Sequence, residues 1–62
     1  MTSEEFRRWR RRMKLSQAQA GKKLGRSKRQ IASYDSGEAD IPLYIELATE
    51  TLERRAEIER AA

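Results

Sequence analysis

The chain has 62 residues and carries 14 Lys and Arg against 10 Asp and Glu, a net charge of +4, with no cysteine and no histidine. One domain this short buries only about 60% of the surface that its unfolded form exposes, so it holds a single compact core. The missing residue types exclude a disulfide framework, a thiolate nucleophile, a Cys/His zinc site and imidazole acid–base chemistry. No apolar run approaches the ~20 residues of a membrane span and no signal-peptide core is present. A cytosolic, nucleoid-associated module without cofactor or metal is expected.

The net charge conceals a segregation. Residues 1–34 hold eleven Lys and Arg against Glu4 and Glu5, whereas residues 35–62 hold three Arg against eight acids. From Arg7 to Arg29 there are eleven bases and no acid. A merely solvated surface interleaves both signs, so this distribution points to a polyanion-binding face on one half and an acidic, solvated half behind it.

Taken in chain order, the segments read as helices. Thr2-Ser3-Glu4-Glu5, Ser16-Gln17-Ala18-Gln19 and Ser27-Lys28-Arg29-Gln30 each place a hydroxyl three residues before Glu or Gln, the signature of a capping box. The first predicts a helix from Ser3 to Met13, with Phe6, Trp9 and Met13 on its apolar stripe. The second predicts Gln17 to Leu24, closed by Gly25 in a left-handed conformation. The third predicts Lys28 to Ser36, closed by Gly37. Ile31 and Tyr34 then face inward, and Lys28, Arg29, Ala32, Ser33 and Ser36 face out.

A polar loop, Glu38 to Asp40, leads to Pro42, which suits a helix start. From Leu43 to about Arg60 the pattern predicts helix with Tyr44, Leu47, Ala48 and Leu52 on its apolar side and Ile58 continuing it thinly. It leaves open whether this is one extended helix or two. No valine and no alternating β-branched run signals a strand. The expected fold is all-α, with four or five helices in a single domain over 1–62.

Two short helices joined by a tight glycine turn, over about residues 16–36, have the spacing of a helix-turn-helix. Gly21, four residues before Gly25, supplies the small residue needed where the helices cross, and Gly25 supplies the turn. The second helix offers an apolar inner face and an outer face of small and hydrogen-bonding side chains suited to a major groove. Arg29 is the first choice for bidentate contact with guanine, Lys28 the second, and Ala32 can meet a thymine methyl. Lys22, Lys23 and Arg26 flank the motif and suit phosphates, as do Arg7, Arg11 and Ser36. Trp9, Tyr34 and Tyr44 have core spacing rather than that of base-stacking platforms.

The set Leu15-Ser16-Gln17, Leu24-Gly25, Ser27, Ile31, Tyr34-Asp35, Gly37 and Pro42, with Arg10 five positions before Leu15, resembles the phage repressor/Cro family of helix-turn-helix DNA-binding domains. The likeness covers about residues 4–52. It implies that Gln17 contacts a phosphate through its backbone N–H and its side-chain amide. It implies that Ser27, Lys28, Arg29 and Ser33 hold the base-reading positions at the start of the recognition helix, with Ser27 also placed to meet a phosphate. It further implies that Arg10 pairs with Asp35, fixing the first helix against the third and leaving the guanidinium near the DNA backbone. The chain departs from the pattern at Ala20, where the family has a larger aliphatic residue and where Trp9 or Tyr44 would fill the space. It departs again at Asp35, where Glu is commoner, and in the missing break over Ala48 to Arg60.

The expected function is that of a sequence-specific repressor, not an enzyme, binding double-stranded DNA as a homodimer on a palindromic operator. Residues 43–60 are the expected dimerisation region, with Leu52 and Ile58 as candidates. An autoregulator in a phage or an anti-CRISPR operon fits the size. The alternative from another class is a DNA-binding antitoxin whose segment Leu43 to Ala62 binds a toxin. Such a tail is disordered alone, whereas a dimerisation helix is ordered. Non-specific coating of nucleic acid, and a membrane-bound basic first helix, are the weaker alternatives.

Overall fold

The computed structural model describes residues 1–61. Among them are four helices and no strand: α1 Ser3–Arg12, α2 Gln17–Leu24, α3 Lys28–Ser36 and α4 Leu43–Ala61. The starts follow from the expected caps. Thr2 and Ser16 form complete reciprocal boxes with Glu5 and Gln19. The third box is half made, because the Ser27 hydroxyl accepts from the Gln30 N–H at 3.1 Å while no return bond from the Gln30 side chain is present.

Gly25 closes α2 at φ 69°, and its N–H donates to the Gly21 carbonyl. Gly21 has a different reason to be glycine. A Cβ there would stand 2.4 Å from the Arg26 carbonyl oxygen, so the turn can fold back over α2 only above a bare Cα. Lys14 is the unexpected member of this group. It ends α1 at φ 57°, a left-handed position occupied by a side-chain-bearing residue. The N–H groups of Lys14 and Leu15 donate to the carbonyls of Arg11 and Arg10, satisfying the end of the helix.

The core is Phe6, Trp9, Ala20, Ile31, Tyr34 and Ile45, with Leu15, Leu24, Ile41 and Leu52 packed around it. Phe6 lies 5.6 Å from both Trp9 and Tyr34, tilted against the first and edge-on to the second. These aromatic contacts hold α1 to α3. Trp9 shares the buried cluster with Ala20. Tyr44 is 56% exposed and does not fill the space beside Ala20.

The fourth helix departs furthest from expectation. It is one continuous helix, so the domain has four helices among the described residues rather than five. Its buried residues are Ile45 and Thr49, with Leu52 packed against the core behind them. Tyr44 and Leu47, expected inside, are exposed. The expected and observed inward sets share Leu52 and both have helical spacing, and at 3.6 residues per turn their centres lie about a quarter of a turn apart around the helix. The larger side chains therefore misplaced the inward face. Thr49 is tolerated in the core because its hydroxyl donates to the Glu46 carbonyl at 2.7 Å. Arg12 joins the end of α1 to α4 through two bonds to Glu53, at 2.8 and 3.1 Å. No helix among the described residues is long and apolar enough to cross a membrane.

Candidate nucleic-acid interface

One carboxylate organises the three N-terminal helices. Asp35 follows Tyr34 on the inner side of α3 and is itself buried. Its Oδ2 accepts from the Gln17 amide at 2.9 Å and pairs with an Arg10 terminal nitrogen at 3.0 Å. The other terminal nitrogen of Arg10 donates to the Leu15 carbonyl at 3.0 Å. The pair is largely shielded, with 18% of the Arg10 side chain and 9% of the Asp35 side chain exposed. Arg10 Nε and Asp35 Oδ1 are buried without a hydrogen-bond partner, which limits the net contribution of the pair to stability. Its geometric effect is plain: α1, α2 and α3 meet at one side chain.

Four of the side chains assigned to phosphates have partners within the fold. Arg10 keeps its structural role, but its guanidinium faces Asp35 and Leu15 rather than outward. The Gln17 amide is likewise turned to Asp35, leaving the first-turn backbone N–H groups of α2 as the donors at that end. Arg7 donates to the Asp35 carbonyl, where it caps the C-terminal end of α3. Arg26 donates to the Tyr44 hydroxyl, with its guanidinium carbon 5.0 Å from the centre of that ring. Each of these arginines answers a nearer acceptor or aromatic face within the fold. Sequence spacing could not reveal those partners, because all but Leu15 lie on other parts of the chain.

The remaining assigned residues stay on the surface. Lys28 and Arg29 occupy the first turn of α3, both exposed, and no hydrogen bond or ion pair among the described residues engages their side chains. Lys22, Lys23 and Arg11 are exposed in the same unengaged state. Ser27 is exposed at the N-cap, its hydroxyl oxygen accepting from Gln30. Ala32 and Ser33 are half-buried on the outer side of α3. The Ser33 hydroxyl donates to the Arg29 carbonyl at 3.2 Å, and that of Ser36 to the Ser33 carbonyl at 3.2 Å. Both hydroxyls keep acceptor capacity, though Ser36 already accepts from the Glu38 N–H at 3.3 Å.

The resulting surface has a helix with two uncommitted cations at its N-terminal end and small side chains one turn later. Lys22 and Lys23 stand on the preceding helix. Opposite charges are neutralised elsewhere, by Arg8 with Glu4, Arg12 with Glu53 and the terminal amine of Met1 with Glu46. An open groove of about 520 Å³ runs between α4 and the rest of the fold, lined by Met13, Lys23, Leu52, Ala56 and Ile58, and contains no residue of α3. Compared with models of protein families, with curated proteins and with solved structures, the chain matches none.

Proposed function

We propose that this protein is a sequence-specific double-stranded-DNA-binding repressor that places α3 in the major groove. The observation that carries the reading is the two-sidedness of α3. Ile31, Tyr34 and Asp35 are committed to the core, while Lys28, Arg29, Ala32 and Ser33 form an outer face whose two cationic side chains have no hydrogen-bond or ion-pair partner among the described residues. A guanidinium on such a helix can bind guanine O6 and N7 together, and small neighbours let the helix seat deeply. Lys22, Lys23, Ser27 and the first amides of α2 meet phosphates, which position the domain and make binding salt-dependent. Two copies on a palindromic operator supply the specificity that one short helix lacks. The continuous α4 favours a pairing helix over a tail that folds on a toxin.

Selection from a randomised DNA pool at near-physiological salt tests this, and an enriched palindrome with half-sites about 34–36 Å apart is expected. Arg29→Ala is expected to weaken operator binding by about 1–3 kcal/mol and relax preference at one base pair of each half-site. Lys23→Ala is expected to weaken operator and random DNA alike and to lower the salt slope by about one. Equal behaviour of the two variants on both kinds of DNA would sink the division between reading and positioning residues.

A further inference from the structure

The large apolar side chains that remain exposed among the described residues are Leu43 at 68%, Tyr44 at 56%, Leu47 at 50% and Ile58 at 62%. All lie on α4 and on one side of it, away from Ile45, Thr49 and Leu52. Isolated exposed leucines need no explanation, but four large apolar side chains on one side of one helix, three at its start and Ile58 near its end, mark an interaction surface. Tyr44, Thr51 and Ile58 are spaced by seven, as are Leu47, Arg54 and Ala61. Together they make the alternating three- and four-residue seam by which two helices pack along their length. Glu50 and Glu57 border the seam beside Arg54, and none of the three enters an ion pair among the described residues.

We infer that this seam pairs with α4 of a second copy of the chain, in antiparallel orientation. Charge decides both the occupant and the direction. Parallel helices would stack Arg54 on its own equivalent in the middle of the seam. An antiparallel pair with its two-fold axis between residues 52 and 53 offsets the two Arg54 residues by about 4.5 Å along the axis instead of stacking them level. Leu47 then meets the partner's Ile58, Thr51 meets the partner's Arg54, and Arg54 comes within one residue of the level of the partner's Glu50. The arrangement is self-complementary, as a two-fold interface requires, since each contact occurs twice. It leaves Ile45, Thr49 and Leu52 on their own core. Leu52, expected at the dimer surface from sequence, is therefore assigned to the core, and Ile58 keeps its place at the interface. The pairing deepens the DNA-binding reading and rests on it for its purpose, because that reading requires a second copy; the surface chemistry stands without DNA.

The test uses the full chain without DNA. The protein has no native cysteine, so Leu47→Cys and Ile58→Cys, made separately and mixed under mild oxidation, report the register alone. Cross-links joining one variant to the other are expected. Like-with-like links at position 47 are not, because in the antiparallel register those residues lie roughly 16 Å apart along the axis, beyond the ~7 Å Cα separation a disulfide spans. Sedimentation equilibrium on the unmodified chain is expected to give a monomer–dimer equilibrium. Arg54→Glu is expected to raise its dissociation constant at least about tenfold, and adding Glu50→Arg to that variant is expected to restore most of the loss. Circular dichroism confirms that each variant folds. Monomers at every concentration up to the millimolar range, without mixed cross-links, would overturn the pairing, and like-with-like links would overturn its direction. A chain that pairs as described but shows no DNA sequence preference would sink the DNA-binding reading alone. A monomer that still selects a half-site would do the reverse.

Discussion

Helices α3 and α4 use their side chains in opposed ways. Along α3, one inner face of Ile31, Tyr34 and Asp35 is buried, and everything facing out is polar or small. Along α4, Ile45, Thr49 and Leu52 go inward while Leu43, Leu47 and Ile58 go outward, so the helix has two apolar sides. A helix with one buried face announces its orientation through its hydrophobic period. A helix with two faces averages that signal away, and its orientation is set by what it packs against. The contrast separates a helix with a single buried apolar face from one that leaves a second set of apolar side chains exposed.

The largest expected effect tests that contrast on neighbouring residues. Ile45→Ala removes a fully buried side chain and is expected to cost about 3 kcal/mol, whereas Leu47→Ala, two positions on, is expected to change monomer stability by less than about 0.5 kcal/mol. Thermal unfolding in dilute solution measures both, and similar losses would mean that the two faces of α4 have been misassigned. The next effect concerns α3. Asp35→Asn keeps the shape but strips the charge opposite Arg10, and is expected to cost about 2 kcal/mol, less than a fully buried pair because Arg10 retains some exposure. Urea titration reads this loss, and an unchanged midpoint would show that α3 is held by its aromatic contacts alone.

Smaller still, Lys14→Gly is expected to stabilise the protein by about 1 kcal/mol by relieving a left-handed side-chain-bearing residue. A rise of roughly 4–8 °C in Tm would confirm it for a domain of this size. The smallest effect is a pH dependence at the seam between α1 and α4. Hydrogen bonding from Arg12 holds the Glu53 carboxyl below the usual carboxylate range. Since its folded pKa lies below its unfolded one, its contribution is complete above the unfolded value and disappears as pH falls through the folded value. Glu53→Gln is expected to flatten the acid limb of stability slightly between those two values, as followed by thermal unfolding from pH 3 to pH 6.

Much of this architecture was legible because it depends on short-range chemistry. The hydroxyls of Thr2, Ser16 and Ser27, the turn at Gly25 and the three-residue spacing of Ile31 and Tyr34 act within a few residues, so the first three helices and the inner face of α3 followed from the chain order. The Arg10–Asp35 pair was legible only through a resemblance, since its partners are 25 positions apart in the sequence. The inward turn of Gln17, the capture of Arg7 by the Asp35 carbonyl and the stacking of Arg26 on Tyr44 had no local signal. An arginine reads as available until the fold supplies an acceptor. The exposure of Lys28, Arg29, Lys22 and Lys23 was legible because no acceptor among the described residues competes for them.

The meeting of Arg10, Gln17 and Asp35 on the concealed side of α3 has a consequence for how such a protein can be altered. The groups that set the pose of α3 are physically separate from the groups it presents. Positions 28, 29, 32 and 33 can therefore be randomised together while the pin at Asp35 and the packing of Ile31 and Tyr34 stay intact. A library of that kind would vary the vocabulary of the helix while leaving its grammar unchanged, and the pose of every member would be inherited from a carboxylate that none of them replaces.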